Sequence, residues 1–121
     1  MELIISGYGE KGNCNMIQCD LQGNVVWSDT VEAPSFAIVS GDRLFAATEV
    51  EDHSEIHSYV KEGNGYRLVD TARWDGGFLC HICYSEKHNM LFGACWGTGH
   101  LLYASLDENG MFTELKQLAE K

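Results

Sequence analysis

Residues 77–110 read GFLCHICYSEKHNMLFGACWGTGHLLYASLDENG, and the way this stretch divides decides the fold. Three short apolar runs, His81 to Tyr84, Met90 to Cys95 and Leu101 to Leu106, are separated by polar or glycine-bearing breaks. A fourth run, Phe112 to Leu118, follows the turn signal Glu108-Asn109-Gly110. Such runs between Gly, Asn and Asp clusters are strand and hairpin signals, so the stretch predicts four antiparallel strands. Side chains alternate across a strand. Within LCHICY, His81 and Cys83 therefore share one face, while Cys80, Ile82 and Tyr84 share the other. Cys80 and Cys83 then point apart, whereas a C-x-x-C metal clip or dithiol needs both sulfurs converging from a turn. No second C-x-x-C completes a zinc set, and Cys14, Cys19 and His88 contribute only if the fold brings them near. The cysteines read as buried free thiols filling apolar space, and no metal or other cofactor is expected.

Outward from this stretch the same grammar runs to both ends of the chain. Strands are predicted at Leu3 to Ser6, Met16 to Asp20, Val25 to Val31, Phe36 to Val39, Leu44 to Glu49, Ile56 to Val60 and Arg67 to Arg73. Helical periodicity is nearly absent, which predicts an all-β chain. Short pairs recur at long offsets: Asp29-Thr30 at Asp70-Thr71, Leu44-Phe45 at Leu91-Phe92, and Asn64-Gly65 at Asn109-Gly110. A period of roughly 40 to 45 residues with four strands per unit is the signature of β-propeller blades. One four-stranded sheet has two faces to bury and needs neighbours to cover them. Residues 1–34 supply a blade lacking its inner strand, 35–76 a second blade and 77–121 a third, making about two and three-quarter blades in a single partial propeller domain. A closed ring at this period takes roughly 180 to 360 residues.

Composition removes whole classes of function. With 45% hydrophobic residues among 121, the chain can build a core. Its formal net charge of -10, from 18 acidic against 8 basic residues, repels nucleic acid and anionic membranes. No segment reaches the roughly 20 apolar residues of a membrane span. No basic region followed by an apolar run marks a signal peptide, and five cysteines without one predict reduced thiols in the cytoplasm. No G-x-S-x-G elbow is present, and Gly97 and Gly99 precede no helix that would make them a phosphate cradle.

APSFAIVSGDRLFAATE (Ala33 to Glu49) and the 77–110 stretch resemble consecutive blades of the lactonase family of seven-bladed β-propellers. That family includes a bacterial type of 6-phosphogluconolactonase and resembles the fungal carboxymuconate-cyclising enzymes. Its pattern is P-S-F/H, strand, turn, L-F/Y-A-x-N-E, then C-H, strand, turn, L-x-x-A-N-Y-G-x-G. Thr48 replaces the usual Asn, and Cys95-Trp96 replace Asn-Tyr, all at the substrate end of the strands. The resemblance covers essentially the whole chain and about the first third of a family member.

What the resemblance implies is a hydrolase opening a sugar lactone of the 6-phosphogluconolactone type. His81 is then the general base facing the central channel, a role suited to a group that titrates near working pH. Glu49 sits at the channel rim to orient His81, hold a water or bind substrate hydroxyls. Trp96, Ser35 and Cys80 line the substrate, with Trp96 able to stack on a sugar ring. Each residue also has a purely structural reading: a histidine bonded within a blade interface, a surface glutamate, a tryptophan packed between blades. Arg43, Arg67 and Arg73 fall in turns or outer strands, away from any phosphate in the channel. The alternative function is a non-catalytic propeller fragment, a binding or assembly module that self-associates or pairs with the remaining blades.

Overall fold

The computed structural model describes residues 2–8 and 15–119. Every expected run is a strand: β1 (Glu2–Ser6), β2 (Met16–Asp20), β3 (Val25–Asp29), β4 (Pro34–Ser40), β5 (Arg43–Glu49), β6 (Ser54–Glu62), β7 (Gly65–Trp74), β8 (Leu79–Ser85), β9 (Met90–Cys95), β10 (Leu101–Leu106) and β11 (Phe112–Ala119). They form three sheets in the order β1-β2-β3, β4-β5-β6-β7 and β8-β9-β10-β11. Every pairing within them is antiparallel. Among the described residues there is no helix. This is an all-β fold of propeller blades. Cys14, one of the thiols considered from sequence, lies outside the described residues.

In the middle sheet β5 is buried on both faces. Leu44 and Ala46 pack with Met16, Val31, Tyr59 and Tyr66 against the first sheet. Phe45 and Ala47 pack with Ile56, Leu79, Ile82, Leu91 and Leu102 against the third. Period-two alternation thus serves two cores from one strand, and the alanines let the sheets approach. Leu44, Phe45, Leu79, Ile82 and Leu91 are fully buried, each contributing about 1.5–3 kcal/mol over exposure.

The repeated Asp-Thr pair is a bond between sheets. In both copies an Asp Oδ1 accepts the next Thr amide, at 2.8 Å for Asp29 and 2.9 Å for Asp70. The second oxygen reaches the following sheet: Asp29 Oδ2 accepts from the Tyr59 hydroxyl at 2.7 Å, and Asp70 Oδ2 from the Phe112 amide at 2.9 Å. β3 stops at Asp29 rather than Val31 because this carboxylate captures the Thr30 amide, and the Val31 amide donates to Asn15 Oδ1 instead.

β8 departs from simple alternation. Its register against β9 shifts between Leu79 and His81, making Cys80 an extra, bulged residue. Leu79 and Ile82 thereby both enter the core, Cys80 is half-buried with its thiol donating to the Ala94 carbonyl at 3.5 Å, and His81 and Cys83 stay exposed. Cys19 and Cys95 are buried free thiols as expected, whereas Cys83 is on the surface.

Candidate functional site

Two links, one before β4 and one before β8, repeat the same geometry. Ala33 precedes β4 with φ 41°, and Phe78 precedes β8 with φ 56°. This left-handed backbone is costly for a residue with a side chain and is held by its bonds. The Ala33 carbonyl accepts the Glu49 amide at 3.0 Å, and the Phe78 carbonyl accepts the Trp96 amide at 3.1 Å. Glu49 and Trp96 are therefore equivalent positions at the ends of the second strands of neighbouring sheets. Alternation along β5 puts Glu49 on the side of Phe45 and Ala47, toward the third sheet. There its Oε2 accepts from the Trp96 indole nitrogen at 3.1 Å.

Two further aromatics complete the cluster. Phe78 stacks on Trp96 with ring centroids 4.6 Å apart and planes 21° apart. Gly97 makes room for this: a Cβ there would lie 2.3 Å from the Phe78 ring. Trp96 remains 64% exposed, so the rest of its indole surface is open to a ligand. The Tyr8 hydroxyl donates to Glu49 Oε1. The bond to that carboxylate, with smaller contributions from desolvation and nearby negative charge, pushes the Tyr8 phenol up to about 12. Sequence reasoning passed over Tyr8, whose only signal is its place between two glycines after β1.

The remaining expected site residues lie on the inner strands. His81 is on the exposed face of β8, its ring centroid 4.7 Å from that of Phe36. Ser35 donates its hydroxyl to the Leu79 carbonyl at 3.0 Å, tying β4 to β8. Cys80 is directed at Ala94. Among the described residues no hydrogen bond joins His81 to Glu49, so the structure brings Glu49 and Trp96 together but not the two expected catalytic groups. Thr48 is buried on the opposite face, 2.8 Å from Nε2 of His57. Burial pushes that imidazole below its usual range, against the pull of Glu55, Asp29 and Glu32. The arginines are engaged elsewhere: Arg43 donates to the Glu108 carbonyl, Arg67 pairs with Glu62 and Arg73 with Glu55.

A family model described as lactonase, 7-bladed β-propeller, matches residues 19–121. The chain belongs to this lactonase propeller family. Solved lactonase-like folds agree. The periplasmic gluconolactonase PpgL of Pseudomonas aeruginosa superposes with TM-score 0.80 at 15% identity, over 98% of this chain and 38% of that one. Proposed 6-phosphogluconolactonases of Bacteroides fragilis and Bacteroides uniformis give TM-scores of 0.78 and 0.76 at 12% and 19% identity. These matches cover 97% and 96% of this chain, but 36% and 37% of those structures. The chain thus spans little more than a third of the length of the solved structures it resembles. No curated protein sequence matches it significantly.

Proposed function

We propose that this lactonase propeller chain forms part of the substrate rim of a hydrolase that opens a sugar lactone of the 6-phosphogluconolactone type. The observation that carries the reading is the Glu49–Trp96 pair, a carboxylate held by an exposed indole across two sheets. Indole faces stack on the apolar face of sugar rings, and a fixed carboxylate accepts their hydroxyls. In the reaction, water adds to the ring ester carbonyl, the bond to the ring oxygen breaks, and that oxygen takes a proton to give the open hydroxy acid. His81, exposed on the inner strand, is the group assigned to draw the proton from the attacking water. Ser35, whose hydroxyl donates to the Leu79 carbonyl, and Cys80, whose thiol donates to the Ala94 carbonyl, are the further residues assigned to line the substrate. Four free thiols among the described residues favour a reducing compartment, the cytoplasm.

The test is hydrolysis of gluconolactone and its 6-phosphate by the full-length protein, followed by proton release. Trp96→Ala and Glu49→Gln should each lower kcat/KM by about tenfold or more, roughly 1.4 kcal/mol of transition-state stabilisation, with little change in melting temperature. His81→Ala should lower kcat most. Activity equal to wild type in all three removes the assignment.

A second reading has its own observation. The outer face of the third sheet exposes Phe92, Leu101 and Leu118 around a groove of about 200 Å³ that also includes His81 and Cys83. In this reading further blades, or a second copy, cover it, and His81 is packed there rather than catalytic. Light scattering should show that Phe92→Lys with Leu101→Glu reduces association of the 121-residue chain at micromolar concentration; an unchanged mass removes the self-association reading.

A further inference from the structure

The link before β4 and the turn between β5 and β6 gather a second polar cluster, apart from the Glu49 rim. Nδ1 of His53 lies 2.7 Å from Oδ1 of Asp52. A carboxylate accepting from Nδ1–H selects the tautomer whose Nε2 carries a free lone pair. His53 is only 9% exposed. Its Nε2 is buried and makes no hydrogen bond among the described residues. That nitrogen lies 3.9 Å from Oε1 of Glu55. One donor atom each from Glu32, His53 and Glu55 falls within 4.8 Å of the others. Leaving a buried polar nitrogen unpaired is destabilising, and two adjacent carboxylates repel. A cation offsets both.

We propose that Glu32, His53 and Glu55 bind a divalent transition-metal cation of the zinc class, with Asp52 orienting His53 from behind. One imidazole with two carboxylates suits zinc and its neighbours, whereas calcium and magnesium take oxygen ligands. Around tetrahedral zinc, donors on bonds near 2.1 Å lie roughly 3.4 Å apart, so donors up to 4.8 Å apart must close by up to about 1.4 Å. Glu32 is exposed and can turn inward without disturbing the core. His57 approaches Glu55 at 3.8 Å but is flanked by Thr48 and Thr71, at 2.8 and 3.1 Å, so it supports the cluster from outside. Arg73, 3.9 Å from Glu55 Oε1 and largely exposed, is a cation that the metal would displace from that carboxylate. Three protein ligands leave a fourth position for water.

The experiment is titration of chelator-treated full-length protein with zinc and with cobalt(II), read by calorimetry, visible absorption and melting temperature. The expected result is one equivalent bound, cobalt ligand-field bands without thiolate charge transfer, and a raised melting temperature at saturating zinc. His53→Gln and Glu55→Gln should weaken binding at least about tenfold, and Asp52→Asn about 10–100-fold. Glu32→Gln alters an exposed side chain and keeps the fold, so its loss of binding separates ligation from unfolding. His88→Gln, on a distant turn, should bind as wild type. Absence of saturable binding, equal affinity in Glu32→Gln and wild type, or a cobalt spectrum dominated by thiolate overturns the proposal. None of these outcomes bears on lactone hydrolysis, which tests the other site.

Discussion

Substituting Gly77 by alanine tests whether the Glu49–Trp96 pair is held in place by the link between the second and third sheets. A Cβ on Gly77 would sit 1.9 Å from the Glu51 carbonyl oxygen and 2.8 Å from its carbon. Both partners are backbone, so no side chain can swing aside and the two segments must separate by more than about 1 Å to restore contact distance. That displacement removes the 2.7 Å bond from the Phe78 amide to the Val50 carbonyl and the 3.1 Å bond from the Gly77 amide to Thr98 Oγ1. Each costs about 1–2 kcal/mol when its groups are left partly buried and unpaired, giving about 2–4 kcal/mol together. For 121 residues, an unfolding entropy near 2.1 cal/mol/K per residue sums to about 0.25 kcal/mol/K, so the melting temperature should fall by about 8–16 °C. Near-ultraviolet circular dichroism should change as well, because Phe78 no longer lies under Trp96. The control is Gly7→Ala, where an added Cβ meets nothing within 4 Å. A Gly77→Ala protein that melts with the Gly7→Ala protein refutes the reasoning.

Two further predictions follow from buried groups. Tyr59 is 1% exposed and donates to Asp29, so Tyr59→Phe should cost about 1.5–3 kcal/mol, a hydrogen bond to a charge, measured by denaturant midpoint. Burial, then the bond to Asp29, raises the Tyr59 phenol above its usual value. The unfolded chain therefore releases this proton first. The contribution is complete below about pH 10 and is lost as pH rises through the folded-state value. Wild type should lose stability in alkali more steeply than Tyr59→Phe, and parallel alkaline profiles refute this. Among the thiols, Cys83 is exposed, whereas Cys95 is 3% exposed and its thiol is pushed up chiefly by burial, against a hydrogen bond with Ser54. Alkylation near pH 8 followed by peptide mapping should label Cys83 well before Cys19 or Cys95; simultaneous labelling of the folded protein counts against the packing.

The strands were legible because their signal is local and repeated: alternating apolar runs, with Gly or Asn at the turns. The Asp-Thr pair was legible as a period before it was intelligible as a contact. Only the fold reveals that its second oxygen bonds the next sheet, at Tyr59 in one copy and Phe112 in the other. Glu49 and Trp96 could be placed at matching strand ends by that period. Three features escaped, and each involves a residue outside the regular ladder. Tyr8 reaches Glu49 from the segment after β1, where no pattern fixes its direction. Cys80 is bulged, and a one-residue slip in register cannot be seen in a run that is apolar on both faces. His53 gains its meaning from Asp52 beside it, Glu55 on the next strand and Glu32 from a separate link.

Repetition explains how Glu49 and Trp96 come to meet. Packing equivalent sheets side by side brings equivalent strand ends together, so residues some 47 positions apart become hydrogen-bonded neighbours. Whatever stands at that position in one blade therefore meets its counterpart in the next. Here the counterparts differ in kind, a carboxylate and an indole, while the backbone bonds beneath them, Glu49 to Ala33 and Trp96 to Phe78, are the same. The scaffold is held constant by the repeat and the chemistry is set by what departs from it. On the proposed function, substitutions at Glu49 and Trp96 should change ligand binding with little effect on stability, whereas Tyr59→Phe should lower stability with little effect on binding.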